Sequence, residues 1–153
     1  AINTLYKLRN DGYKVRWYCI GEGNARKEYE YLIEENNLKN DFILLGAIPN
    51  PYPYIKNSDI YVQTSRHEGY CLTLAEAKCL CKPIVTTNFI GAYEQINDKV
   101  NGFIVEQNEN EIYEKIKFII DNNYIRDKFI SNLNNTKLNT VNNVNKLLDY
   151  INV

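Results

Sequence analysis

Apolar positions along the chain fall into short β-rich runs separated by stretches of helical spacing. Val15 to Ile20 is the first run and ends at Gly21-Glu22-Gly23. Residues 24 to 37 follow, with Tyr29, Leu32 and Ile33 spaced for one helix face. Phe42 to Leu45 is the second run, closed by Gly46. Pro49 to Pro53 rules out regular structure locally, and Tyr54 to Asn57 is expected to form one helical turn. Asp59 to Thr64, Ile84 to Thr87 and Gly102 to Val105 are the third, fourth and fifth runs. Between them, Leu72 to Leu80 is rich in helix formers and ends before Pro83, and Ala92 to Ile96 predicts a short helix. Glu109 to Asp121 predicts an amphipathic helix, with Ile112, Ile116, Ile119 and Ile120 on one face.

Strands that alternate with helices predict parallel βαβ units. Several runs are apolar throughout, as strands are when helices cover both faces of a sheet. The expected fold class is α/β, a doubly wound, Rossmann-like parallel sheet. Such sheets bind ligands beyond the carboxyl ends of their strands, here the loops after residues 20, 45, 64 and 87. Residues 1 to 9 already read as helical, so a first strand should precede them and is missing from the chain. Met is absent, position 1 included, and the sequence reads as starting partway through a longer protein. Residues 131 to 145 are Asn-rich, yet Val141, Val144, Leu147, Leu148 and Ile151 fit one amphipathic helix. Residues 1–122 are read as the α/β domain and 123–153 as its helical tail.

Composition narrows the function classes. Lys plus Arg is 18 against 19 Asp plus Glu, a formal net charge of −1, which argues against nucleic-acid binding through a broad basic surface. Apolar residues at 44% and charged residues at 24% are those of a globular domain with a real core. No run approaches the ~18 apolar residues that span a bilayer, and the opening residues do not read as a signal peptide. Cys19, Cys71, Cys79 and Cys81 contain no C-x-x-C pair, and His67 is the only histidine, so no metal site is expected. The four thiols read as reduced, mostly buried and cytosolic. Lys7, Arg9, Lys14 and Arg16 read as a solvated edge.

The chemistry concentrates in Ser65 to Ala77, SRHEGYCLTLAEA. This stretch follows a strand, carries a glycine and enters a helix, which places backbone N–H groups and a helix N-terminus at the carboxyl edge of the sheet. That arrangement attracts anions, phosphate above all, although a plain strand-to-helix turn looks the same in sequence. Glu68 falls in the loop and Glu76 about one turn into the helix. Three readings stand for the pair: solvated or capping charges, acceptors for the hydroxyls of a bound sugar or ribose, or a hydrolase acid/base pair. His67 reads as a wall of the loop or as a pH-sensitive donor contact, and Arg66 as a structural partner or a phosphate ligand. Tyr52, Tyr54 and Tyr61 either pack or stack a base.

These residues carry a resemblance. Glu68 and Glu76 as E-x7-E, within DIYVQTSRHEGYCLTLAEAKCLCKPIVTTN, resemble the retaining GT-B glycosyltransferases of family four. That family reads A-D-x-x-x-x-P-S-x-x-E-G-(aromatic)-x-L-x-x-x-E-A-x-x-x-G-x-P-V. The match rests on Asp59, Ser65, Glu68, Gly69, Tyr70, Leu72, Glu76, Ala77 and Pro83. Ile20-Gly21-Glu22-Gly23 resembles the family's V-G-x-G, Phe42 to Gly46 its F-x-G, Gly91, Glu94 and Ile96 its G-x-x-E-x-I turn, and Asn101-Gly102-Phe103 its N-G-hydrophobic. Cys71, Cys81, Gln63 and Thr64 depart from the usual Gly, Pro or Ser, Gly, Leu and Pro.

The resemblance implies an activity and roles. The enzyme would move a glycosyl group from a nucleotide-sugar to an acceptor hydroxyl with retention, in polysaccharide or glycoconjugate synthesis, with no metal or cofactor. Glu68 would touch the donor sugar near the reacting carbon. The amides of Gly69, Tyr70, Cys71 and Leu72, with Thr73, would line the sugar and diphosphate. Glu76 would accept from the ribose, backbone near Ile48 would meet the base, and Gly21 would allow close approach. The partners implied are the nucleotide-sugar donor and a missing N-terminal acceptor-binding half. Through that half the protein would associate peripherally with the inner face of the membrane from the cytoplasm. A non-catalytic nucleotide-sugar-binding module and a GT-B-like sugar-nucleotide epimerase are the alternatives.

In the family order the missing strand lies between the Val15–Ile20 and Asp59–Thr64 runs. Buried unpaired backbone groups cost about 1–3 kcal/mol each, so an empty slot is disfavoured and the two runs are expected to pair directly. The family's diphosphate-neutralising Arg and Lys would precede Ala1. The fragment alone is therefore expected to bind nucleotide weakly and to lack transferase activity, with the helix near Leu147 loosely packed.

Overall fold

The computed structural model describes residues 1–136. In chain order the elements are α1 (Ile2–Asn10), β1 (Trp17–Ile20), α2 (Arg26–Glu35), β2 (Phe42–Gly46), α3 (Tyr52–Asn57) and β3 (Tyr61–Gln63). They continue as α4 (Leu72–Cys79), β4 (Ile84–Thr87), α5 (Ile90–Gln95), β5 (Phe103–Val105) and α6 (Glu109–Asp121). Residues 123–136 are helical as well.

β4 is buried along its whole length and lies between β3 and β5, parallel to both. Successive strand residues face opposite sides, and β4 shows what each side holds. Ile84 joins a cluster with Leu74 and Ala77 of α4 and Phe89, Ala92 and Ile96 around α5. Val85 joins Leu8 of α1, Ile112, Ile116 and Ile119 of α6, and Phe129. Helices therefore cover both faces, the doubly wound α/β arrangement read from the strand pattern. Asn108 starts α6 by accepting a hydrogen bond from the Asn110 amide at 2.8 Å.

The expected single sheet is two sheets. β1 pairs with β2, and β3 with β4 and β5, while β1 and β3 are not paired with each other. Side chains rather than backbone link the two: Trp17 of β1 and Val62 of β3 pack against the same α1–α6 cluster. The prolines do not exclude a helix either. α3 starts at Tyr52, with Pro53 in its first turn, where a missing N–H costs nothing. Lys7 and Arg9 are ion-paired instead of merely solvated, to Glu109 at 2.8 Å and Asp41 at 3.1 Å. Of the four cysteines only Cys71 is buried, and Cys79 is exposed. The helix read around Leu147 lies outside the described residues.

Candidate functional site

The loop between β3 and α4 is exposed from Arg66 to Tyr70 and closes on the buried Cys71, which precedes the first turn of α4. No side chain caps α4. Its first N–H groups have no i−4 carbonyl and face the carboxyl edge of β3, which leaves a partly positive helix end in reach of a ligand.

Neighbouring elements pin this loop at several points. Thr87 Oγ1, at the end of β4, donates to the Ser65 carbonyl at 2.6 Å. Gln107 Nε2 donates to the Arg66 carbonyl at 2.8 Å. Gln95 Nε2, buried in α5, donates to the Cys71 carbonyl at 3.2 Å. Gly91 of α5 sits so close beneath that a Cβ there would lie 1.8 Å from the Gly69 carbonyl oxygen. A Cβ on Gly69 itself would meet nothing within 4 Å. Within the loop the backbone is thus confined from the α5 side and open on the other.

Both acidic residues are oriented by hydroxyls. Ser65 Oγ donates to Glu68 Oε1 at 2.9 Å. Tyr52 Oη, from α3, donates to Glu76 Oε1 at 3.2 Å, and the hydrogen bond with the carboxylate raises the Tyr52 pKa. Neither glutamate forms an ion pair among the described residues. Each carboxylate therefore has one oxygen held by the protein and retains acceptor capacity for hydroxyls of a ligand.

Behind Ser65 the hydrogen bonding continues into the sheet. Tyr61 and Gln63 are two apart on β3 and share a face. Tyr61 Oη donates to Gln63 Oε1 at 2.6 Å, and Gln63 Nε2 donates to Ser65 Oγ at 2.7 Å. Thr73 Oγ1 reaches Gln63 Oε1 at 3.4 Å and lies 3.3 Å from Cys71 Sγ. Burial pushes the Tyr61 phenol up to about 12, so it remains a protonated donor.

The structure brings Glu68, Gly69, Tyr70, Cys71, Leu72, Thr73 and Glu76 together at one sheet edge. Gly21 and Ile48 belong to the edge of the other sheet. The Gly21 amide donates to the Gly46 carbonyl at 2.9 Å, and its φ of +132° suits glycine. A cleft of about 160 Å³ opens there, lined by Gly21, Glu22, Gly23, Arg26 and Tyr29 among others, and reaches none of residues 68–76. The Tyr52–Glu76 bond is the tie between the two edges, because α3 follows the Ile48 loop. His67 is exposed, and Tyr54 packs against Tyr18 with ring centroids 6.1 Å apart. Sequence reasoning missed the buried supports Gln95 and Thr87 and the hydroxyl role of Tyr52. Among the described residues no group of three or more His, Cys, Asp or Glu side chains is gathered as a metal site requires. No helix among them is long and apolar enough to cross a membrane.

The family model for glycosyl transferases group 1 matches residues 1–136. An N-acetylgalactosamine-N,N'-diacetylbacillosaminyl-diphospho-undecaprenol 4-alpha-N-acetylgalactosaminyltransferase of Campylobacter jejuni is 32% identical over 141 residues, 84% of this chain and 39% of that protein. The chain thus spans well under half of that relative's length. Among solved structures, a variant of TarM from Staphylococcus aureus in complex with Fondaparinux, alpha-GlcNAc-glycerol and UDP aligns with a TM-score of 0.83 at 25% identity, over 99% of this chain and 32% of TarM. The C-terminal domain of a glycosyl transferase group 1 family protein, LpcC from Francisella tularensis, aligns with a TM-score of 0.77 at 27% identity, over 90% of this chain and 76% of that domain's chain.

Proposed function

This chain belongs to the glycosyl transferases group 1 family, and from that premise we propose that it is the nucleotide-sugar-binding half of a retaining glycosyltransferase. Residues 1–122 form its donor domain and 123–153 the tail of that domain. The single observation that carries the reading is the pair Glu68 and Glu76, set on either side of the uncapped start of α4, each oriented by one hydroxyl and free to accept others.

In this reading the donor diphosphate rests on the N–H groups of Gly69 to Thr73, where the helix dipole favours negative charge and stabilises the departing nucleoside diphosphate. Glu68 accepts from hydroxyls of the transferred sugar, and Glu76 accepts from the ribose. Gly21 and the backbone at Ile48 face the nucleotide from the β1–β2 edge. No metal or cofactor takes part, and catalysis rests on positioning and on charge stabilisation at the leaving group. The acceptor is held by a second half of the full-length protein, which works in the cytoplasm at the membrane face. Synthesis of a surface polysaccharide or glycoconjugate follows from the company of relatives that build such polymers, the capsular polysaccharide glycosyltransferase CapM of Staphylococcus aureus among them. Alone, the chain is inactive as a transferase.

UDP is the first nucleotide to test, because TarM binds it. In the full-length protein, Glu76→Ala is expected to weaken UDP binding about tenfold, the loss of a charged acceptor for hydroxyls. A UDP analogue lacking both ribose hydroxyls should bind wild type and variant alike. Equal UDP affinity in the two proteins, measured by titration calorimetry, would remove the ribose assignment.

A further inference from the structure

We propose that Gln63, acting through Ser65, is a positioning residue that fixes the Glu68 carboxylate toward the donor sugar. This rests on the reading of Glu68 as the sugar contact. Glu68 stands in an exposed loop, and its one hydrogen bond to the described residues comes from Ser65. Left to itself, such a side chain samples many rotamers, and ordering it would cost free energy at the moment of binding.

The chain of hydrogen bonds behind it runs in one direction. The hydroxyls of Tyr61 and Thr73 both donate to Gln63 Oε1, which turns the amide so that Nε2 faces Ser65. The Gln63 N–H occupies a lone pair of Ser65 Oγ, so the Ser65 proton is directed to Glu68. Bonds aligned donor to acceptor in this way strengthen one another. Thr87 fixes the other end of Ser65 by donating to its carbonyl. The relay begins inside the sheet and delivers a preset carboxylate to the surface, with its second oxygen free. Gln63 thus accepts from Tyr61 through Oε1 and donates to Ser65 through Nε2.

The test uses the full-length protein with Gln63→Leu, Gln63→Glu, Ser65→Ala and the Gln63→Leu/Ser65→Ala pair. UDP release is followed with UDP-glucose, UDP-galactose and their N-acetyl counterparts, and UDP affinity is measured alongside. Gln63→Glu keeps the shape of the side chain but removes the donor, so the Ser65 proton turns back toward the new carboxylate. Each single variant should lower kcat about fivefold with UDP affinity unchanged. The paired variant should lose no more than Ser65→Ala alone, because both changes break one relay. Additive losses, full turnover in both Gln63 variants, or a fall in UDP affinity matching the fall in kcat would each overturn the proposal. Full turnover in Glu68→Ala would instead strike down the assignment of Glu68, an outcome visible without any Gln63 variant.

Discussion

Glu68→Ala in the full-length protein is expected to lower turnover about 100-fold while UDP affinity and thermal stability match wild type. The magnitude is that of removing one group aimed at the reacting centre of a transition state. Stability is spared because Glu68 is exposed and its one bond to the described residues is to Ser65, whose hydroxyl can turn to water when the carboxylate is gone. UDP affinity is spared because the assigned contact is to the sugar, which UDP lacks. Steady-state kinetics and calorimetry on the same preparation separate the two. If UDP binding is lost before turnover falls, Glu68 holds the nucleotide, and the roles of Glu68 and Glu76 are exchanged.

What the sequence made legible is what depends on neighbours along the chain. Ile84 to Thr87 lies between Pro83 and Asn88 and is a buried strand at the bounds read from its apolar run. Ile112, Ile116 and Ile119 at helical spacing give the buried stripe of α6. The step from β3 through a glycine loop into α4 places Glu68 and Glu76 without any tertiary information. Contacts between distant segments were not legible. The division into two sheets depends on which strand edges meet, and no local pattern reports that. Tyr52 and Glu76 are 24 residues apart, and a tyrosine beside two prolines reads as packing or base stacking, not as a hydroxyl donor. Gln63 registered as a departure from Leu, with no reason attached. Period two puts Tyr61 and Gln63 on one face of β3, but the hydrogen bonds on to Ser65 and Glu68 lie beyond the strand.

Gly91 gives the prediction that reaches furthest from the motif itself. The position lies in the first turn of α5, and the family pattern marks it without saying what the glycine does. The geometry supplies the reason. A methyl group there would stand 1.8 Å from the Gly69 carbonyl oxygen, 2.9 Å from its carbon and 3.3 Å from Tyr70 Cα. All three are backbone atoms, so no side chain can rotate away to make room. The loop has little freedom to retreat, because Ser65, Arg66 and Cys71 are each held through their carbonyls. Gly91→Ala must therefore push Gly69 and Tyr70 off their places or drive α5 out of its packing against Leu74 and Ala77. Overpacking of this kind costs about 1–3 kcal/mol, and a misplacement of about 1 Å in a catalytic loop costs about 100-fold in rate. The expected result is a lower melting temperature, weaker UDP binding and turnover near background. Gly69→Ala is the contrast: its Cβ meets only open space, so the melting temperature should hold, and any loss should appear in donor kinetics alone. A Gly91→Ala protein that melts and turns over like wild type would show that α5 does not support the loop.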